Sequence, residues 1–134
     1  MARPASKHPT DGELEILRIL WANKSSTLSD VCEALRLQRD VATTTVATML
    51  RVMLDKRLVK RRKSGGGYQW SAVVSHEKAV ASLVGKIVDG VFDGSAGRLV
   101  THLVETENLT AEQLAELKKL VDAKRRQKVK GRRS

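Results

Sequence analysis

Two stretches of this chain carry side chains suited to gripping a polyanion. The first is "DKRLVKRRKSGGG", residues 55–67. Lys56, Arg57, Lys60, Arg61, Arg62 and Lys63 make six of the eight residues from 56 to 63 basic, and the run leads into three glycines centred on Gly66. Such a cluster neutralises phosphates and releases their counterions, which gives affinity without sequence information. Glycine lets backbone approach backbone closely, so a flexible tip beside dense charge suits a surface that must fit a curved polyanion. Protection of an edge strand from aggregation accounts for one or two lysines, less easily for a run of four. A nucleotide-binding loop needs the order GxxxxGK[ST], which "SGGG" lacks.

The second stretch is "TTTVATMLR", residues 43–51. Read as a helix, it turns Thr43, Thr44, Ala47, Thr48 and Arg51 to one face, with Thr45 at its edge. A solvated helix face is usually laced with Glu and Lys pairs. Small hydroxylated side chains instead permit close approach. They suit hydrogen bonds to base edges and contact with thymine methyls. β-branched residues are also poor helix formers, so their concentration here calls for a reason beyond propensity. Arg39, in the turn before this helix, is a further candidate phosphate contact.

These residues need elements to position them. Thr10 and Glu13 form a capping box for a first helix, with Leu14, Ile16, Leu17, Leu20 and Trp21 at helical spacing. Thr27 and Asp30 form a second box for a short helix with a Val31, Ala34, Leu35 stripe. A third helix spans about Val41 to Lys56, its core side formed by Val46, Met49, Leu50 and Met53. Two strands, 58–63 and 68–73, follow around the glycines. The order helix, helix, helix, strand, strand predicts a winged helix-turn-helix, whose third helix enters the major groove while the hairpin lies along the backbone.

The remainder reads as three amphipathic helices: 76–89, 96–105, and one from Leu109 and Thr110 to about Lys124. Leu83, Val84, Ile87, Val88, Leu99, Leu103, Leu114, Leu117 and Val121 are their apolar positions. Under fifty residues in three short helices make a thin core alone. A homodimer built on these positions is the expectation, and packing back onto the winged helix the alternative. The fold class is thus mainly α with a small β-hairpin: a disordered N-terminal tail (1–9), a winged-helix DNA-binding domain (10–74), a helical dimerisation domain (75–123) and a basic C-terminal tail (124–134).

Charge follows the same division. The net charge of the 134 residues is +10. Residues 1–74 carry 13 basic and 7 acidic side chains, residues 75–123 carry 5 and 8, and residues 124–134 carry 7 and none. The front and the tail are built to meet a polyanion; the middle is not. The tail either adds nonspecific DNA contacts or is a solvated end.

Other chemistry finds little support. The single cysteine, Cys32, forms no internal disulfide and fits a small core position. His8, His76 and His102 are scattered, with no carboxylate pair or nucleophile elbow, so no catalytic residue, metal site or cofactor is expected. No apolar run approaches the length of a membrane span, and the N-terminus lacks a signal-peptide core, which leads to a cytoplasmic protein.

The stretches "TDGELEILRILW" (10–21), "TLSDVCEAL" (27–35), "TTVATMLRVMLDKRLVKR" (44–61), "GYQWSAVVSHEK" (67–78) and "LVTHLVETENLTAEQLAELKKLV" (99–121) together resemble the penicillinase-repressor family, the BlaI/MecI/CopY repressors. The resemblance covers roughly residues 10–124. It implies a homodimeric transcriptional repressor whose winged helix reads a pseudo-palindromic double-stranded operator with TACA/TGTA-type half-sites. Such repressors often control β-lactam resistance genes beside a membrane-bound sensor protease, which makes that protease a candidate partner. The proteolysed subgroup is cut at an Asn-Phe bond aligned with His102-Leu103, a pair this chain lacks. The copper-responsive branch carries Cys-x-Cys pairs near its end, and this chain has no cysteine after Cys32. From another class, a winged helix that docks a protein, or one that binds DNA without sequence preference, would use the same surfaces.

Overall fold

The computed structural model describes residues 8–133, with side chains described as far as Gly131. The order of elements is α1 (Asp11–Ala22), α2 (Leu28–Arg36), α3 (Thr43–Asp55), β1 (Val59–Ser64), β2 (Gly67–Ala72), α4 (His76–Val91), α5 (Ala96–Thr106) and α6 (Ala111–Arg133). The chain is mainly helical with one antiparallel hairpin: a helix-turn-helix followed by its wing. It divides into two compact units, one ending at Ile87 and one beginning at Val88.

The core of the first unit is aliphatic. Ile16, Leu17 and Leu20 of α1, Val31, Cys32 and Leu35 of α2, and Val46, Leu50 and Met53 of α3 are buried together with Leu58, Val59 and Trp70. Both capping boxes form: the Thr10 hydroxyl accepts from Glu13 N–H, and the Thr27 hydroxyl from Asp30 N–H. Cys32 fills a core position next to Val31, as its helical spacing suggests.

The chain leaves α3 through a Schellman turn. Leu58 N–H donates to Met53 C=O and Arg57 N–H to Leu54 C=O, while Arg57 takes φ 63°. Leu58 and Met53 are both buried, which supplies the apolar contact of that motif. This turn points β1 directly into the hairpin. The hairpin pairs Val59 with Ala72 through to Ser64 with Gly67, leaving Gly65 and Gly66 as a two-residue loop. Gly65 has φ +60°, the conformation such a loop requires at its first position. A short bridge between Ser26 and Trp70, with N–H to C=O bonds of 2.9 and 2.8 Å in the two directions, fastens the hairpin to the loop before α2.

Two expectations are corrected. The N-terminal tail was expected to extend through residue 9. Residues 1–7 of it lie outside the described residues, but Pro9 is buried and His8 shares a hydrogen bond with Ser82 of α4. Nor does α6 stop near Lys124: it runs unbroken to Arg133. Its start is capped as expected, Gln113 N–H donating to the Thr110 hydroxyl and Thr110 N–H to Gln113 Oε1.

The second unit looks different. Among the described residues from 88 onward, none is buried. Phe92 meets the ring of His102 at 6.0 Å, but Val91, Val100, Leu103, Val104, Leu114, Leu120 and Val121 are exposed. In the first unit, α4 adds only Ala79 to the interior and leaves Val80, Val84 and Ile87 exposed.

Candidate nucleic-acid interface

Helix α3 buries Val46, Leu50 and Met53, and this roll of the helix sets everything on its other side. Thr43, Thr44, Thr45, Thr48 and Arg51 are exposed and Ala47 is half-buried. The predicted face is therefore the outward face. Thr48 Oγ1 donates to Thr44 C=O at 2.9 Å, so its hydroxyl hydrogen is used within the helix and the oxygen is left to act as an acceptor.

The start of α3 is unlike every other helix start in the described residues. Thr10, Thr27, Ser75, Ser95 and Thr110 each accept a hydrogen bond from a first-turn N–H of α1, α2, α4, α5 and α6. Ala42 precedes α3 and offers no side-chain cap, and the first turn holds no acidic residue. In place of an acid stands Arg36, from the end of α2. Its Nη2 donates to Thr43 Oγ1 at 2.7 Å and its Nε to Val41 C=O at 3.2 Å. A cation at a helix N-terminus opposes the helix dipole and is stabilised when an anion joins it. Arg36 was missed in the sequence because it belongs to α2 by periodicity; its spacing of seven from Thr43 was the available signal.

The hairpin sorts the basic run by alternation. Arg61 lies opposite Trp70 and Lys63 opposite Tyr68, while Lys60 and Arg62 pair with Ser71 and Gln69 on the other face. The guanidinium of Arg61 lies 4.3 Å from the Tyr68 ring centroid and 5.4 Å from that of Trp70. Stacking of this kind holds the charge in one place while leaving its edge free. A cleft of about 680 Å³ separates α3 from the wing; Arg36, Thr43, Ala47, Arg51, Arg61 and Gly66 are among its walls. Three guanidinium-bearing residues thus border one opening beside the exposed threonines. Lys60, Arg61 and Arg62 line a second hollow with Ser25 on the opposite side of the hairpin.

Two assigned residues prove less free than their sequence positions suggest. Lys56 does not belong to this surface. Its Nζ sits 2.6 Å from Glu13 Oε1, with both side chains only 6% exposed, and also donates to His8 C=O at 3.1 Å. The i+3 position of Lys56 after Met53 brings it toward α1, where the buried Glu13 carboxylate requires a cation. Arg39 is half-exposed but tied to Glu15 of α1 at 3.3 Å. Arg57 remains exposed, in the left-handed conformation that ends α3.

Among the described residues no group of three or more His, Cys, Asp or Glu side chains is placed to hold a metal, and no helix is long and apolar enough to cross a membrane.

The model of the penicillinase repressor family matches residues 9–123. This chain belongs to that family. It is 24% identical over 115 residues to the methicillin resistance regulatory protein MecI of Mammaliicoccus sciuri, covering 86% of this chain and 94% of that one. Against the penicillinase repressor of Staphylococcus aureus it is 20% identical over 110 residues, 82% of this chain and 87% of the other. A looser structural likeness, TM-score 0.46 at 20% identity, relates 85% of it to 76% of the reduced form of MarR from E. coli. Membership in the family makes the chain a DNA-binding transcriptional repressor and not an enzyme.

Proposed function

We propose that this repressor acts as a homodimer on a pseudo-palindromic operator with TACA/TGTA-type half-sites, in control of β-lactam-responsive genes. The observation that carries the DNA-reading part is the uncapped start of α3, with Arg36 in place of a capping acid and a threonine-rich face continuing from it. A DNA phosphate supplies the missing acceptor there, which seats Thr43, Thr44, Ala47, Thr48 and Arg51 against base edges. Arg61 and Lys63 then hold phosphates from the cleft side of the wing and Lys60 and Arg62 from its outer side, with Gly66 at the tip.

Dimerisation is supported by the exposed apolar side chains of α4, α5 and α6, among them Val84, Ile87, Leu103, Leu114 and Val121. Leu83, Val88, Leu99 and Leu117 are half-buried and complete those faces. A second copy gives these faces a partner, and a two-fold protein matches a two-fold site. The names of its relatives support the gene class: they regulate methicillin resistance and penicillinase. A membrane sensor protease is the upstream partner this family context suggests, although His102-Leu103 offers no Asn-Phe bond.

Fluorescence anisotropy on two labelled duplexes of about 30 base pairs, one with the palindrome and one scrambled, tests the reading. A preference of about a hundredfold or more, at two chains per duplex, is expected. Equal, salt-labile binding to both would reduce the protein to a nonspecific DNA binder and remove the operator. No salt-dependent binding to either would instead favour a winged helix that docks a protein.

A further inference from the structure

The end of α6 changes chemistry without changing structure. From Ala111 to Ala123 the helix mixes charges: Glu112, Glu116 and Asp122 stand among Lys118 and Lys119, and Lys118 pairs with Asp122 at 3.0 Å. Beyond Ala123 come Lys124, Arg125, Arg126, Lys128, Lys130, Arg132 and Arg133, with no acidic residue. The helix crosses that border with no break, and the match to the family model ends at it.

Two ordinary explanations fall short. Cations favour a helix C-terminus through the dipole, but that effect fades within the last turn, whereas this segment spans almost three. A solvated face would carry both signs at i, i+4 spacing, as the preceding turns do. Here Lys124 with Lys128 and Arg126 with Lys130 are like-charged i, i+4 pairs, which oppose the helix until counter-charge is supplied. Val129, exposed among them, offers too little apolar surface for a hydrophobic partner. The residues therefore form a cationic rod about 15 Å long that lacks neutralising groups in its own sequence.

We propose that residues 124–133 of α6 are a second, sequence-independent DNA-binding element, which adds phosphate contacts to those of the winged helix. The proposal rests on the DNA-reading function above and concerns a part of the chain outside the family match. A rod of charge on a regular helix meets duplex phosphates without base contacts, so it raises affinity for all sequences alike.

The test compares the full chain with a full-length variant carrying Lys124→Gln, Arg125→Gln, Arg126→Gln, Lys128→Gln and Lys130→Gln. Glutamine keeps the helix propensity of Lys and Arg, so the helix is retained while charge is lost. A chain ending at Ala123 serves as the second variant. Binding to palindrome and scramble is followed from low to physiological salt. The expected result is a slope of log K against log salt that is shallower by about 2 to 4, with about tenfold or greater loss on both duplexes. The ratio between palindrome and scramble stays where it was. An unchanged slope in both variants overturns the proposal, even where the palindrome is still preferred. If the unmodified chain shows no preference for the palindrome, the operator reading fails, while the slope difference still decides the tail. Loss of sedimentation with phosphatidylglycerol vesicles in the variants, with an unchanged DNA slope, would overturn it in favour of a membrane surface.

Discussion

The two units of this molecule solve opposite problems. The first, ending at Ile87, hides Ile16, Leu17, Val46, Leu50 and Met53 from solvent and leaves a polar surface outside. The second, from Val88, fully buries none of its described side chains and presents Val100, Leu103, Val104 and Leu120 to solvent. Sequence hydrophobicity alone does not separate them, since both contain aliphatic stripes at helical spacing. What separates them is whether those stripes find each other within one chain. Where they do, the polar face of α3 is left exposed; where they do not, the apolar side chains themselves stay exposed, which is what the proposed dimer would cover.

That contrast can be broken most forcefully at the buried ion pair between Lys56 and Glu13. Lys56→Met leaves the Glu13 carboxylate buried without its cation, and a loss of about 3 to 5 kcal/mol is expected. Urea unfolding followed by Trp fluorescence checks it; a change below about 1 kcal/mol would mean the pair is solvated in solution. Next comes a matched pair of truncations. Leu50→Ala should cost about 3 kcal/mol through the cavity it leaves in the first unit. Leu103→Asp, on an exposed face, should leave the thermal transition of the winged helix in place and shift sedimentation from dimer to monomer. A dimer that survives this substitution would move the interface away from α5.

Smaller effects sharpen the division within the first unit. Arg51→Ala is expected to lower discrimination between palindrome and scramble by about 1 to 3 kcal/mol if it contacts a base. Arg62→Ala should weaken both alike and flatten the salt slope by about 0.9 per lost phosphate contact. Identical behaviour of the two variants in the anisotropy titration would erase the distinction between recognition helix and wing. Arg57→Gly is the mildest change. Removing a side chain from a residue at φ 63° should stabilise the fold by up to about 1 kcal/mol, read from the denaturation midpoint, with a small loss of DNA affinity.

Much of the architecture was legible because its signals are local. Thr10, Thr27 and Thr110 announce helix starts through residues three positions away, and the glycines announce the hairpin through the backbone angles it needs. The threonine face of α3 followed from periodicity, since the core side was plain in Val46, Leu50 and Met53. The end of α6 was not legible: the basic run resembles a solvated tail in composition, yet the helix continues because Lys, Arg and Gln are good helix formers and no Gly or Pro intervenes before Gly131.

By itself, the sequence determined the order of elements, the helix caps, the hairpin and the charge borders, because each depends on residues within a turn or two of one another. Tertiary structure decided which charges are available. Lys56 and Arg62 are both basic residues of one run, yet Lys56 is consumed by Glu13, 43 positions away, while Arg62 stays exposed on the outer face of the wing. It also drew Arg36 to Thr43 at the start of α3 and laid Arg61 on Tyr68 across the hairpin. Electrostatic and stacking contacts act through space, so no local pattern can assign them until the packed core has fixed which surfaces meet.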